Sequence, residues 1–461
     1  MVKAEDLVDP STAADRYRSL SNIVWSCLAT VVLCSWVSLH PNVPRPVDEG
    51  KLTKWQWCIH KLHAFLKDGV LPFVLLLVAP EWVLMWALRQ RLVVEYLIRK
   101  RRGLTRRHAF FIVMGGFHKF TRVETSISTP SLLGPTPYNL APFDGVIRLD
   151  EEKGPTIKNE EEAYGEPDHP LDRFDVCRLL DDGRLELPPK SEIDDKSKTN
   201  WVVKSLVLLQ TLWFVLQCIA RKMEGFALTE LEVVTLGYTF LNLVLYAIWW
   251  DKPQNVKRPI RVFCGELPDR TDEQWMSKQR METVGWSDEL IDSVLGTQDQ
   301  HVDLRSSKQT PTFYSGNPPR KWSLATLPIE YFAMMMAALI GGMVGGIHFL
   351  GWSSPFPTHK MLILWRCGSV LMTSAALPTV LLFIALPFWA FIERVNAFVK
   401  AVLDWTIIPI GVLVFSLLCF LAPFAYITGR VITLMLAFRT LASLPPNAFR
   451  SIRWTNFFPH I

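Results

Sequence analysis

The sequence is short of the motifs that announce most enzyme chemistries. None of its eight cysteines sits in a CxxC pair and half of them fall inside apolar runs, so cysteine usage says little about redox compartment. There is no glycine-rich phosphate loop, which leaves ATP-driven transport unsupported. The lack of a GxSxG elbow or of a credible His/Asp/Ser set does the same for serine hydrolysis. No repeat relates the two halves of the chain, which weakens a transporter built on inverted repeats. Charge is scarce as well: 20% of residues are charged, and 49 Lys+Arg are nearly balanced by 44 Asp+Glu.

What is present is apolar and aromatic mass. Of 461 residues 49% are hydrophobic, with 18 Trp and 27 Phe. Roughly 18 or more apolar residues are needed to cross the hydrocarbon core. Runs of that kind lie at 22–39, 69–88, 201–220, 231–250, 329–350, 367–391 and 405–426. The fold class expected is an all-α polytopic membrane protein of about seven transmembrane helices, or eight if 431–443 crosses again. The first run follows twenty polar residues and lacks a small-residue cleavage site, which reads as a retained span. HAFFIVMGGFH (108–118) and VITLMLAF (431–438) are short and flanked by cations, and read as interfacial or re-entrant helices.

Lys/Arg bias around the runs favours a cytosolic N-terminus, with the cluster from Arg89 to Arg107 on the inner side. The expected organisation then has five parts. Residues 1–118 hold two spans and a basic interfacial segment, and 119–200 form an acidic cytosolic loop. Spans three and four fill 201–250, a polar cytosolic loop follows at 251–328, and 329–461 hold spans five to seven with a C-terminal amphipathic segment. In the first loop FDGVIRLD is strand-like and CRLLDDGRLELP carries hairpin turn chemistry. In the second, EQWMSKQRMETVGWSDELIDSVL has amphipathic helical spacing. The block RKRRGLTRR (99–107) beside a span suits anionic lipid better than nucleic acid.

Polar residues within apolar runs are the functional candidates, because a carboxylate near the bilayer centre faces the bundle interior or a wet cavity. Glu230 and Glu232 open a run, and Thr229-x-x-Glu232 fits a capping box. Glu330 follows Pro328 at another run's start. Glu81, in LLLVAPEWVLMWALRQR, has no such position. It lies eight residues, about 12 Å of helix rise, from Arg89, and Pro80 before it frees a carbonyl one turn back. It reads either as a carboxyl that joins helices by hydrogen bonding or as a catalytic acid. Counted inward from the cytosolic boundaries, Glu81, Gln210 and Asn242 share one depth, and Thr235, Tyr238, Asn242 and Tyr246 form a stripe on one helix. Such stripes are more often interhelical glue. The alternative is a pocket of Glu81, Gln210, Trp213, Tyr238, Asn242 and Tyr246.

Three further patterns have bland readings. His60-x-x-His63 beside Cys58 could face a metal, but with no fourth ligand a solvated or interfacial helix is the better reading, and no metal or cofactor is expected. Trp249–Trp250 and the Trp55/Trp57 region look like interfacial belts. Gly341, Gly342, Gly345 and Gly346 have the small-xxx-small spacing of close helix packing.

The segments SNIVWSCLATVVLCSWVSLHPNVP, LVAPEWVLMWALRQR, HAFFIVMGGF, KSLVLLQTLWFVLQCIAR, LTELEVVTLGYTFLNLVLYAIWWDKPQNVKRPIRV and SLPPNAFRSIRWTNFFPHI resemble a large, mostly uncharacterised family of multi-pass fungal membrane proteins. The resemblance implies a fungal source and a membrane location, and it transfers no catalytic residue. Fungal proteins of this kind sometimes serve secondary metabolism. The expectation is a membrane enzyme acting on a hydrophobic small molecule, such as an acid-initiated terpenoid cyclase or isomerase. Glu81 would be the proton donor, and Trp213, Tyr238 and Tyr246 would stabilise a cation. The alternatives are a channel or proton-coupled transporter using Glu81, and a scaffold without catalysis.

Overall fold

The computed structural model describes residues 17–47, 52–121, 166–197, 201–267, 302–316, 323–324, 327–378, 380–381 and 397–452. They form a helical bundle with a small mixed domain at one end. In chain order the helices are α1 (Leu20–Ser38), α2 (Lys54–Ala64), α3 (Leu71–Val78), α4 (Pro80–Lys100) and α5 (Arg106–Val113). Then come α6 (Arg173–Asp181), α7 (Lys190–Lys196), α8 (Trp201–Met223), α9 (Glu230–Ile248), α10 (Ile329–Ile347), α11 (His359–Ser374) and α12 (Ala397–Arg439). Strands β1 (Phe117–Thr121), β2 (Glu166–Pro170) and β3 (Ile260–Val262) make a sheet of order β2-β1-β3, antiparallel and then parallel.

Among the described residues, five helical stretches are long and apolar enough to cross a membrane: Leu20–Ser38, Val202–Met223, Glu230–Ile248, Phe332–Gly351 and Leu413–Ser443. The expected span at 69–88 is not one helix. Proline has no N–H to give and crowds the carbonyl four residues back, so α3 stops at Val78 and α4 restarts at Pro80. The pair Lys54–Val78 and Pro80–Lys100 is bent by 114° there. Conversely, 405–426 and 431–438 belong to one 43-residue helix, α12, so the second stretch is no separate interfacial piece. At 1.5 Å per residue that helix is roughly 65 Å long, more than the ~30 Å hydrocarbon thickness.

Side-chain bonds sort the bundle's two ends. At one, the backbone N–H of Arg18 donates to the Phe449 carbonyl (2.7 Å), Arg221 donates to the carbonyls of Arg450 (2.6 Å) and Ala448 (2.9 Å), and Tyr17 bridges Arg450. The start of α1, the end of α8, the start of α9 and residues 440–450 therefore lie together. The capping box expected at Thr229 is present, with Glu232 Oε2 accepting from the Thr229 N–H at 2.8 Å and the Thr229 hydroxyl accepting in return. Glu232 also takes Arg18 (Nη2 to Oε2, 3.1 Å), so the cap doubles as a clasp on α1.

At the other end the chain leaving α1 enters the mixed domain. The Val43 N–H donates to the Met114 carbonyl (2.9 Å), Asn42 Nδ2 to the Pro311 and Tyr314 carbonyls (2.8 and 3.1 Å), and Gln254 Nε2 to those of Val37 and Leu39. Residues 39–47 thus share an end with 252–262 and 310–316, although Lys/Arg counting had put them on opposite sides. The 114° bend has the same consequence: Asp68 of the first arm and Gln90 of the second both reach this end, so α3 and α4 dip into the bundle and return.

HAFFIVMGGFH is likewise a buried piece of the domain, not an interfacial helix. Its Phe110, Phe111, Ile112 and Val113 are within 2% of full burial, and β1 follows directly. CRLLDDGRLELP forms no hairpin. It is the end of α6, closed by Gly183 at φ +65° with the Arg184 N–H on the Leu179 carbonyl. FDGVIRLD and the helix expected over EQWMSKQRMETVGWSDELIDSVL lie outside the described residues. Of the aromatic belts, Trp55, Trp57 and Trp250 are exposed, whereas Trp249 is fully buried.

His118 on β1 is 1% exposed, and neither ring nitrogen has a hydrogen-bond partner among the described residues. Burial, with His169 adding like charge, pushes its pKa down to about 3. The unfolded chain takes up a proton below about 6.5 that the folded one refuses, so this stability is complete above that pH. It is lost by about 1.4 kcal/mol per unit as pH falls towards 3. Replacing His118 by Phe should flatten the dependence of Tm on pH in that window by one proton, and an unchanged slope would place the titration elsewhere.

Candidate functional site

Two places combine polar chemistry with burial. The first is the bend. Because α4 begins at Pro80, Glu81 falls in its first turn, where the helix dipole favours a negative charge. The small-residue stripe of α10 makes room for it. A Cβ on Gly341 would sit 2.9 Å from Glu81 Cγ, while Gly342 and Gly345 press against Ala376 and Thr373. From α12, Tyr426 donates its hydroxyl to Glu81 Oε1, and Arg430 Nη1 lies 3.9 Å from the same oxygen and 2.7 Å from the Tyr426 hydroxyl. The guanidinium also covers the Tyr238 ring at 4.6 Å, and Tyr238 donates to the Leu77 carbonyl just before the break. A hydroxyl donor and a guanidinium are the surroundings of a carboxylate. The space beside Arg430, lined by Tyr238, Val344, His348, Met372 and Thr433, holds about 10 Å³, enough for one water.

Of the residues expected to share a pocket, only Tyr238 joins Glu81. Gln210 reaches Thr30 at 3.4 Å on α1, and Asn242 is held by Ser35 and Ser38 at 3.1 and 3.0 Å, so both serve as interhelical glue. Tyr246 packs with Cys34 and Val207, its buried hydroxyl without a hydrogen-bond partner among the described residues. Trp213 is 45% exposed on the outer face of α8. Glu81, Gln210 and Asn242 do not line one space, because Gln210 and Asn242 bond to α1 whereas Glu81 meets Tyr426 and Arg430 of α12. Tyr426 and Arg430 were missed. Their i, i+4 spacing in YITGR was the available signal.

The second place is the junction of bundle and domain. Lys252, 1% exposed, donates Nζ to the His40 carbonyl, to Gln90 Oε1 (2.9 Å) and to Asn42 Oδ1 (3.3 Å), between the rings of Trp86 and Trp249 at 4.7 Å each. Burial pulls its pKa well down. Against that, three acceptors match the three protons of an ammonium, and each desolvated ring contact is worth up to about 2 kcal/mol.

Beside this plug opens a cavity of about 730 Å³. Its apolar wall is Trp36 and Val37 of α1, Leu39 just beyond it, Phe65 after α2, and Val203 of α8. Its polar wall carries Arg45, Lys61, Lys257, Arg258 and Arg261, with His60 and the single carboxylate Asp68 among the described lining residues. Over it lies α2, opened by a Thr53–Gln56 capping box. Its Trp55, Ile59 and Leu62 are at least half exposed, and Leu66 beyond it is 49% exposed. Those residues form an apolar face turned outward, the mark of an interfacial helix. His60 faces the cavity, and His60 and His63 with Cys58 form no metal-binding group among the described residues. Within the basic block, Arg101 pairs with Asp181 (2.7 Å), Arg106 with Glu95 (3.0 Å) and Arg107 with Asp194, all partly exposed.

A family described as a family of unknown function (DUF8562) matches residues 177–283, a stretch that runs from the end of α6 through α8, α9 and the basic 254–261 wall of the cavity. No curated protein and no solved structure matches the chain.

Breaking a buried ion pair from one side leaves the other charge stranded. Glu81→Gln should therefore cost about 3 kcal/mol of stability, and the double variant Glu81→Gln/Arg430→Met should recover most of it. Thermal unfolding of the solubilised protein reads this. A single variant as stable as the double would mean that Glu81 and Arg430 do not act as a pair.

Proposed function

We propose that this is an integral membrane protein that binds an amphiphile with an anionic head in the cavity between the helix bundle and the mixed domain. The observation that carries the reading is the cavity's two-sided wall. Cations from the 254–261 strand and loop face apolar side chains of α1 and α8, under a helix whose outward face suits a lipid interface. An acid-initiated cyclase at Glu81 has less in its favour: Tyr426 and Arg430 already engage the carboxylate, and a terpenoid does not fit the space beside it. The bend favours a second reading, movement of the same amphiphile. Helices broken inside a bundle recur at transporter sites, and the arm leading to Glu81 begins in the cavity wall at Asp68 and Gly69.

The orientation proposed follows from the same geometry. The domain end carries Arg45, Lys54, Lys61, the Arg89–Arg107 series and Lys257, Arg258 and Arg261. The opposite end carries Arg18, Arg221, Lys222, Lys360, Arg366, Arg439 and Arg450. The positive-inside rule favours a cytosolic domain with residues 17–18 and 448–450 on the far side, the reverse of the expectation for the N-terminal flank. In sealed microsomes an N-terminal epitope should resist external protease while one inserted near residue 308 is cut; the opposite pattern inverts the orientation.

For binding, native mass spectrometry of the detergent-solubilised protein with phosphatidylglycerol or phosphatidylcholine should show retention of the anionic lipid. In Lys257→Glu/Arg261→Glu, at unchanged melting temperature, that retention should fall at least about tenfold, the change expected when about 1.4 kcal/mol of charge pairing is lost. Equal retention of both lipids by both proteins would reject the reading.

A further inference from the structure

The apolar wall of the cavity does not end inside the protein. Trp36, Phe65 and Val203 line it and are also 41–54% exposed on the flank of the bundle. Two of them head rows of exposed apolar side chains that run away from the domain. On α1, Trp25, Val32, Leu33 and Trp36 are all exposed at i, i+7, i+8 and i+11, and on α8 Leu206 and Leu209 follow Val203. The two helices are neighbours, joined by Gln210 to Thr30 (3.4 Å) and Cys34 to Thr211 (3.0 Å), so the rows flank one groove. Both helices are long and apolar enough to cross a membrane. In a bilayer, acyl chains lie along that groove and its upper end is the cavity wall. Trp36 and Val203 each stand two residues from the domain end of their helix, about 3 Å of rise inside it, the depth at which head groups meet chains.

The border of this opening is a joint between helices. Helix α2 has no buried residue, and it passes into α3 through the π-helical turn Phe65–Val70, an interruption of the kind that recurs at functional sites. Trp36 rests against that joint. Its ring centroid is 6.0 Å from that of Phe65 and 5.5 Å from that of Phe73, and a Cβ on Gly69 would lie 3.5 Å from its Cη2. A side chain larger than hydrogen at Gly69 would therefore fill space beside the ring. Volume sets the other limit: 730 Å³ falls within the roughly 300–1,000 Å³ that encloses a drug-sized molecule. A lipid with two long chains is larger than that, so its head and first carbons fit and the rest does not.

Resting on the reading above that an amphiphile occupies the cavity, we infer that the ligand is a long-chain lipid of the surrounding membrane that enters sideways between Trp36, Phe65 and Val203. Its head alone occupies the cavity, and its chains stay in the bilayer along the groove of α1 and α8. Little apolar surface then has to leave hydrocarbon for water as the lipid loads, which keeps the barrier to exchange low. A water-soluble molecule with the same head has no chains to hold it at the portal.

The test uses the whole protein in nanodiscs of phosphatidylcholine doped with phosphatidylglycerol that carries a photoreactive diazirine midway along one acyl chain, with the labelled peptides mapped by mass spectrometry. Residues 413–424 of α12, where Leu413, Leu417, Phe420 and Phe424 are exposed, give the background from bulk lipid. Above that background, labelling of 25–36 and 203–213 is expected to saturate with dose and to be displaced by unlabelled phosphatidylglycerol but not by phosphatidylcholine. Gly69→Trp should lower the saturable part at least about tenfold, the equivalent of about 1.4 kcal/mol of binding, at unchanged melting temperature. Saturable labelling that misses both stretches and falls on 39–47 and 254–261 places the chains inside the cavity; it overturns the inference and leaves amphiphile binding standing. Saturable labelling in neither set overturns both. The mapping needs only the unaltered protein, so it decides the matter even if Gly69→Trp does not fold.

Discussion

The Lys252 ammonium holds the two halves of the molecule together. Its acceptors come from the loop after α1 (His40 and Asn42) and the second arm of the bent pair (Gln90), while its own backbone follows α9. Gln90 in turn donates to the Tyr314 carbonyl and accepts from Trp249 Nε1, and Trp86 Nε1 donates to the same carbonyl. A buried cation without these oxygens would cost several kcal/mol in desolvation. The three chain segments are therefore fixed relative to one another, and the cavity wall at 254–261 starts two residues further on.

Proline supplies the second constraint. With Pro80 at the start of α4, the chain cannot continue α3, and the turn sends both arms back to the domain end. A broken helix inside an apolar bundle exposes carbonyls at the first arm's end and N–H groups at the second's start. Tyr238 takes one carbonyl, and Glu81 stands at the N–H end with Tyr426 and Arg430 as its partners. The same side chains that look catalytic in a linear reading close a structural gap. The volume available for a ligand lies at the mouth of the pair, beside Asp68 and Gly69.

Local signals in the sequence carried far into the structure. The run beginning at Leu231, the Thr229–Glu232 capping box, the small-residue packing of Gly342 and Gly345 and the polar stripe on α9 all depend on residues within a few turns of each other, and each stands where the pattern put it. Other signals were present but outweighed. Pro80 was a visible helix breaker, but the continuous apolarity of 69–88 reads as a single span. Asp-Asp-Gly argued for a turn, and the turn ends helix α6 instead of joining two strands, because Val176 and Leu179 are buried against the domain core.

By itself the sequence determined that the chain is largely apolar helix, where most of those helices begin, and that a few polar residues lie within them. Helical propensity, caps and hydrophobic periodicity are local and can be read in a window of residues. Only the tertiary structure decided which end of the bundle each loop joins, that Glu81 meets Arg430 across 349 positions of sequence, and that cations from residues 45, 61 and 257–261 surround one space. Those pairings depend on the direction the chain takes after the break at Pro80. A single 114° turn reverses the side on which the next segment emerges, and Lys/Arg counting along a line of assumed spans does not register it.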